Sequence, residues 1–260
     1  MQESKASTIV IIPARYAASR FPGKLLEPLA GKSVLQRVYE QAQKSKADHV
    51  LIATDDDRIF NHCHTFNANV CFTDKSHKNG TSRCIEAYNK LNNDYEIMIN
   101  IQGDEPFISP AQIDLLIDQM HHQKEIQILT LGKQIKDQAV LFNPNSVKVV
   151  FENKAPHRAL YFSRHPIPYL RDLPQDQWLN QNIYHKHIGI YTFRNSFISK
   201  YDTLLPSTPL QESENLEQLN WMEQGYPIHI CLTDIENINI DVPEDMLKAE
   251  NWLNKNNNEN

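Results

Sequence analysis

Basic residues do not dominate this chain. Its 26 Lys and Arg face 32 Asp and Glu, a formal charge of −6 over 260 residues, which argues against general nucleic-acid binding. Cysteine is scarce. Cys63, Cys71, Cys84 and Cys231 form no CxxC pair and show no nearby spacing that would build a zinc site. They read as small apolar side chains in a reducing cytosol. No apolar run approaches the length of a membrane span. The polar opening MQESKAS, followed by only four apolar residues, is not a secretory signal. No internal repeat is visible, and NKNNNEN at the tail is the low-complexity stretch. These absences leave the expectation of a cytoplasmic globular protein. Its composition of 40% hydrophobic and 22% charged residues suits one that buries a sizeable core.

What is present begins with IVIIPARYAASRFPGKLLEPLAGKSVL, Ile9 to Leu35. Ile9 to Ile12 is a β-branched run without alternation, the pattern of a strand buried on both faces. Pro13 ends it, and Ala17, Ala18, Ser19 and Gly23 keep the next segment small enough to approach a ligand closely. Residues 13 to 32 carry Arg15, Arg20, Lys24 and Lys32 against Glu27 alone, four bases to one acid and so a local excess of +3. Positive charge concentrated on an acidic protein points to one small anionic ligand. Open α/β sheets bind ligands where strands empty into such loops.

Strand and helix patterns then alternate. Ser33 to Lys46 reads as a helix with Ser33 as N-cap, HVLIATDDD as a strand ending at Thr54, and the following helix runs to about Phe66. NVCFT, TSRCIEAYNKL and YEIMINIQGDEP continue as strand, helix and strand. Pro110 opens a helix to about Lys124, and IQILTLG returns as a strand. This βαβα rhythm implies an α/β fold with a mostly parallel sheet. After about residue 135 it changes to VKVVF, RALYFS, HKHIGIYTF and PIHICL, strands without regular helical partners. The expected organisation is a single domain with a core of about 8–135 and 211–255 and a lateral subdomain of about 136–210. A last helix, from Pro243 to Trp252, packs on the core.

Several groups carry chemistry. NIQGDEPFI ends a strand in Gln102, Gly103, Asp104 and Glu105, and Asp104 suits a hard cation such as Mg²⁺, which takes oxygen ligands and phosphates. It reads equally as a turn aspartate. Asp241 follows the alternation Ile238, Ile240 as a second carboxylate at a strand end, or as an N-cap. Gly80-Thr81 opens a helix and offers backbone N–H groups, although a structural role is favoured for a lone Gly-Thr. Arg164, with Arg171 seven residues on, offers the fork that matches a carboxylate or phosphate. A surface salt bridge is its plainer reading. His185, His187 and Tyr191 share one face of a strand, and the absence of an evident third ligand argues against zinc. The triplet Asp55 to Asp57 lies at a helix start, where capping explains it better than a metal.

Taken in order, IIPARYAASRFPGK, LIATDDDRI, GTSR, NIQGDEPFI, LYFSRHPIPY, HIGIY, LEQLNWMEQG and IDVPED resemble the motifs of the 3-deoxy-manno-octulosonate (Kdo) cytidylyltransferases over roughly residues 8 to 250. The resemblance implies a Rossmann-like nucleotidyltransferase fold whose smaller lateral subdomain forms a homodimer. The implied activity is transfer of cytidylyl from CTP to Kdo with release of pyrophosphate, serving lipopolysaccharide synthesis, with Mg²⁺ as cofactor and no nucleic-acid or membrane partner. By motif, Arg15, Lys24, Asp104 and Asp241 are the implied catalytic residues, Asp104 and Asp241 holding the metal. Ala14, Arg15, Arg20, Lys24, Gly80, Thr81, Arg83 and Asp104 would bind the nucleotide. Gln102, Arg164, His187, Tyr191, Glu217 and Gln218 would line the sugar pocket, Arg164 taking the Kdo carboxylate. The family usually has an acidic residue at the position of Ser82 and often serine at that of Asn79; both changes leave Arg83 in place.

Two other readings stand beside this one. A related enzyme would use another nucleotide or another acidic sugar, which turnover with each would separate. A nucleotide-binding regulator without catalysis predicts loss of Arg15, Lys24, Asp104 or Asp241, and all four are retained.

Overall fold

The computed structural model describes residues 7–18, 20–91, 95–204 and 206–257. They divide into two compact units, one of residues 1–117 and 236–260 and the other of 118–235.

In the first unit β1 (Thr8–Ala14) is buried along its whole length, as its unbroken apolar run predicts. A short hairpin of β2 (Pro28–Leu29) and β3 (Lys32–Ser33) follows. Helix α1 (Val34–Gln43) begins where expected, the Ser33 side chain accepting from the Gln36 N–H. Then come β4 (His49–Thr54), α2 (Asp57–Thr65), β5 (Val70–Phe72), α3 (Gly80–Asn89), β6 (Ile97–Asn100) and α4 (Pro110–His122). The strands lie in the order β5-β4-β1-β6, all parallel. Their carboxyl ends are therefore on one edge, where Arg15 follows β1 and Gln102 to Asp104 follow β6.

The second unit starts with β7 (Ile128–Gln134), the one-turn helix α5 (Gln138–Phe142), β8 (Lys148–Phe151), β9 (His157–Ser163) and β10 (His185–Arg194). Short helices α6 (Asn195–Ile198), α7 (Pro209–Glu214) and α8 (Glu217–Glu223) precede β11 (Ile228–Leu232). Within this unit the strand order is β10-β7-β11-β9-β8, and β8 pairs again with β10, closing five strands into a ring. The β7–β11 pair is parallel; the other pairs in the ring are antiparallel. This unit is longer at both ends than the expected 136–210, because β7 and β11 build its ladder.

Helix α9 (Pro243–Asn257) belongs to the first unit, and its Trp252 packs on Phe107 at a ring distance of 4.3 Å. The expected strand through Ile238 and Ile240 does not form; residues 233–241 have no regular structure. Instead the Ile240 N–H donates to the Asp104 carbonyl at 3.0 Å, and that bond sets Asp241 beside the β6 loop.

Candidate active site

The first unit contains a cavity of about 290 Å³ lined by Pro13, Arg15, Ala17, Ala18, Lys24, Leu25, Lys78, Asn79, Gly80, Gln102, Gly103 and Asp104. Gly103 allows the two strand-end loops to approach, since a Cβ there would meet the Pro13 carbonyl at 3.0 Å. Gly23, at φ 77, turns the basic loop back so that Lys24 faces inward. Its N–H donates to the Tyr16 carbonyl.

Lys24 is the centre of the charged cluster. Its ammonium donates to Asp104 Oδ2 at 2.5 Å, to the Ile240 carbonyl at 2.7 Å and to Asp241 Oδ1 at 3.4 Å. Arg20 reaches the same Asp241 oxygen at 3.3 Å. At the start of α9, Asp245 accepts from the N–H groups of Asp241 and Val242, while the Asp241 carboxylate joins the cluster. Two carboxylates thus converge on one cation, and their hard oxygens are the donor set that Mg²⁺ takes alongside phosphate. No group of three or more His, Cys, Asp or Glu suited to a metal occurs among the described residues, so phosphate and water oxygens would complete such a shell.

Arg15 is fixed differently. Its guanidinium donates to the carbonyls of His77, Lys78 and Asn79, which leaves two of its five N–H groups without a partner among the described residues. Burial and the nearby Arg83 lower its pKa, and Asp55 opposes them. Asn79 caps α3, so Gly80 sits at the mouth of that helix with Pro13 against it. Lys78 and Asn79 line the cavity although the sequence reading assigned neither a ligand. Their signal was position alone, just ahead of Gly80.

Three of the residues expected to bind the nucleotide are buried in the protein. Ala14 and Arg83 are fully buried and Thr81 is 2% exposed. Arg83 donates to Asp55 Oδ2 at 2.6 Å and to the Thr73 hydroxyl, an internal ion pair that supports the loops. The acidic triplet is accounted for in the same way, with Asp56 capping α2 and gripping Arg58. Gln102, grouped by resemblance with the sugar residues, lines this cavity of the first unit.

The remaining sugar-pocket residues lie in the second unit. His187 Nε2 is 2.9 Å from the Thr130 hydroxyl, which itself donates to a β10 carbonyl. The Nε2 therefore carries the hydrogen, and Nδ1 is left as an acceptor. Burial pushes the His187 pKa down to about 3. The Tyr191 ring lies 5.2 Å from His187 and 5.1 Å from Trp221. Its hydroxyl is buried with no partner among the described residues, and burial followed by the charge of Glu217 raises its pKa. Glu217 accepts from the Tyr201 hydroxyl, and Gln218 is 5% exposed on the same helix. Arg164 donates to the carbonyls of Glu214, Pro144 and Asn215, and buried Lys148 donates to the Arg164 carbonyl at 2.5 Å. Arg164 thereby anchors the turn that leads into α8, with two N–H groups to spare among the described residues. His185 packs against Phe151 at a ring distance of 4.9 Å.

Parallel strands emptying into a small basic loop, opposite paired carboxylates, define a nucleotidyltransferase site. A family model described as cytidylyltransferase matches residues 9–237. A protein of Parabacteroides distasonis named 3-deoxy-manno-octulosonate cytidylyltransferase is 46% identical, covering 94% of this chain and 97% of its own length. One of the same name from Cytophaga hutchinsonii is 45% identical over 95% and 97%. The solved structure of a CMP:2-keto-3-deoxy-manno-octonic acid synthetase complexed with CTP has a TM-score of 0.88 at 34% identity, over 96% of this chain and 100% of that one. The chain belongs to the 3-deoxy-manno-octulosonate cytidylyltransferase family.

Proposed function

We propose that this protein transfers the cytidylyl group of CTP to the anomeric hydroxyl of Kdo. A bond forms between that oxygen and the α-phosphorus, the α–β phosphoanhydride bond breaks, pyrophosphate leaves, and the hydroxyl proton passes to solvent. The observation that carries this reading is the convergence of Asp104 and Asp241 on Lys24 beside the cavity lined by Arg15.

Both substrates are anions, so their repulsion has to be offset before the hydroxyl reaches phosphorus. Arg15 and Lys24 supply fixed positive charge for the phosphates, and Arg20 adds to it at the rim. Asp104 and Asp241 would hold Mg²⁺, which when bound supplies charge neutralisation and Lewis acidity. In the second unit His187 offers an acceptor, Tyr191 a hydroxyl without a partner among the described residues, and Arg164 two N–H groups for a sugar carboxylate. Glu217 and Gln218 complete that set.

A homodimer in a reducing cytoplasm belongs to the same proposal. Its supports are the exposed Leu160, Tyr169 and Ile183 of the second unit, at 52%, 70% and 40%, and the four free cysteines. No helix among the described residues is long and apolar enough to cross a membrane. Sedimentation at several concentrations checks the dimer; a monomer throughout would remove it.

Pyrophosphate release with CTP, Mg²⁺ and Kdo, each omitted in turn, tests the reaction. Release that needs all three is expected. Release with another sugar acid but not with Kdo would move the substrate, and none with any sugar acid would overturn the reading.

A further inference from the structure

The loop that holds Arg15 is itself held by a network of hydrogen bonds to α3. His77 contributes twice. Its carbonyl accepts from Arg15, while its ring lies between two groups of α3, with Nε2 on a Glu86 oxygen and Nδ1 3.1 Å from the Ser82 hydroxyl. Glu86 also accepts from the Asp74 N–H at 2.8 Å and from Lys90 at 2.7 Å. Desolvation raises the Glu86 pKa, but the bonds from Lys90, Asp74 and His77 outweigh it and bring it to about 2. An ionised carboxylate only accepts, so His77 Nε2 is the donor.

The Ser82 hydroxyl is 3.2 Å from the Asn79 carbonyl, and the Ser82 N–H donates to the Asn79 side chain at 2.8 Å. Both ends of the three-carbonyl segment are therefore tied to α3, one through His77 and one through Asn79. Arg15 depends on those carbonyls. Asp55, whose charge acts on it, is already bound to Arg83. What orients the Arg15 guanidinium is the direction of three peptide dipoles, and His77 sets the first.

We propose that His77, braced by Glu86, is a positioning residue that aims Arg15 at the nucleotide phosphates. The inference rests on the reading that CTP occupies the cavity of the first unit. His77 touches no substrate in this scheme. It acts through the peptide carbonyls, and its effect belongs to nucleotide affinity.

The test is a double-mutant cycle between His77 and Arg15, read by CTP binding in calorimetry and by steady-state rates. His77→Ala is expected to weaken CTP binding about tenfold, with kcat and the sugar KM within about twofold of wild type. In an Arg15→Ala background the same change is expected to add little, because its target is gone. His77→Gln, which keeps a donor for Glu86, should recover part of the loss, and Glu86→Gln should show a loss of its own. Thermal melts of each variant separate these effects from unfolding, and the Gln variants keep the cycle readable if His77→Ala does not fold. Undiminished CTP affinity in the His77 variants, or losses that add fully to that of Arg15→Ala, would overturn the inference. Failure of the wild type to bind CTP at all, with Arg15→Ala indistinguishable from it, would instead overturn the reading beneath it.

Discussion

Lys24 sits between two carboxylates, 12% exposed against 25% for Asp104 and 45% for Asp241, so the charges of this cluster are only partly screened by water. On the proposed metal assignment, removing either carboxylate takes away a donor for Mg²⁺. Asp104→Ala and Asp241→Ala are each expected to lower kcat by roughly 100-fold or more, with folding intact by circular dichroism. Turnover within a few-fold of wild type in Mg²⁺ would refute the metal assignment. Arg164→Ala tests the proposed contact with the other substrate. It is expected to raise the KM for the sugar acid about tenfold or more, the worth of a bond to a charged partner, while the KM for CTP stays put. Arg164 also gathers three carbonyls, so Arg164→Lys, lacking the planar fork, should rescue little. Equal rises in both KM values would assign it to general folding instead.

At the scale of elements, Gly132 on β7 faces β11 so closely that an added Cβ would stand 2.8 Å from Ile230 Cγ2. Gly132→Ala is expected to cost about 1–3 kcal/mol by overpacking, read as a lower melting temperature; an unchanged melt would mean that Ile230 swings aside freely. Most of the larger elements were legible in the sequence because their signals are local: the unbroken apolar run of β1, the Ser33 cap, Pro110 opening α4. What was not legible has a physical reason too. Asp241 was read as ending a strand, but the alternation of Ile238 and Ile240 reflects an irregular segment pinned by one bond to Asp104. Arg15, Lys24 and Asp104 line one cavity as their motifs lead one to expect, yet nothing in spacing shows that Arg83 bonds Asp55 while Arg15 bonds three carbonyls. That choice is made by which carboxylate is within reach after folding. The short helices α5 and α6 carried too few residues to show a period.

For the molecule as a whole, buried titratable groups set the response to acid. The unfolded chain protonates His187 near its ordinary 6.5, whereas burial holds the folded residue neutral until about 3. Its contribution to stability is complete above about pH 6.5 and is lost progressively as pH falls toward 3. Glu86, whose folded value is about 2 against an ordinary 4.5, adds a second loss between those two values. Chemical denaturation followed from pH 7 to pH 4 is therefore expected to show falling stability, and His187→Gln should flatten the part between 6.5 and 4.5. A wild-type curve level over that range would contradict the burial of a neutral imidazole.

The Lys24–Asp241 contact joins residues 217 positions apart, and this long reach bears on when the protein becomes competent. Loops that close over such distances form late, since the entropy of bringing the ends together must be met before the contact stabilises anything. During synthesis the β1 loop, β6 and the cavity between them are complete long before Asp241 leaves the ribosome. A nascent chain can thus assemble the basic half of this cluster while one of its two carboxylates is still untranslated. If Asp241 holds the metal as proposed, activity, unlike the parallel sheet, arrives only when the last part of the first unit returns to its beginning.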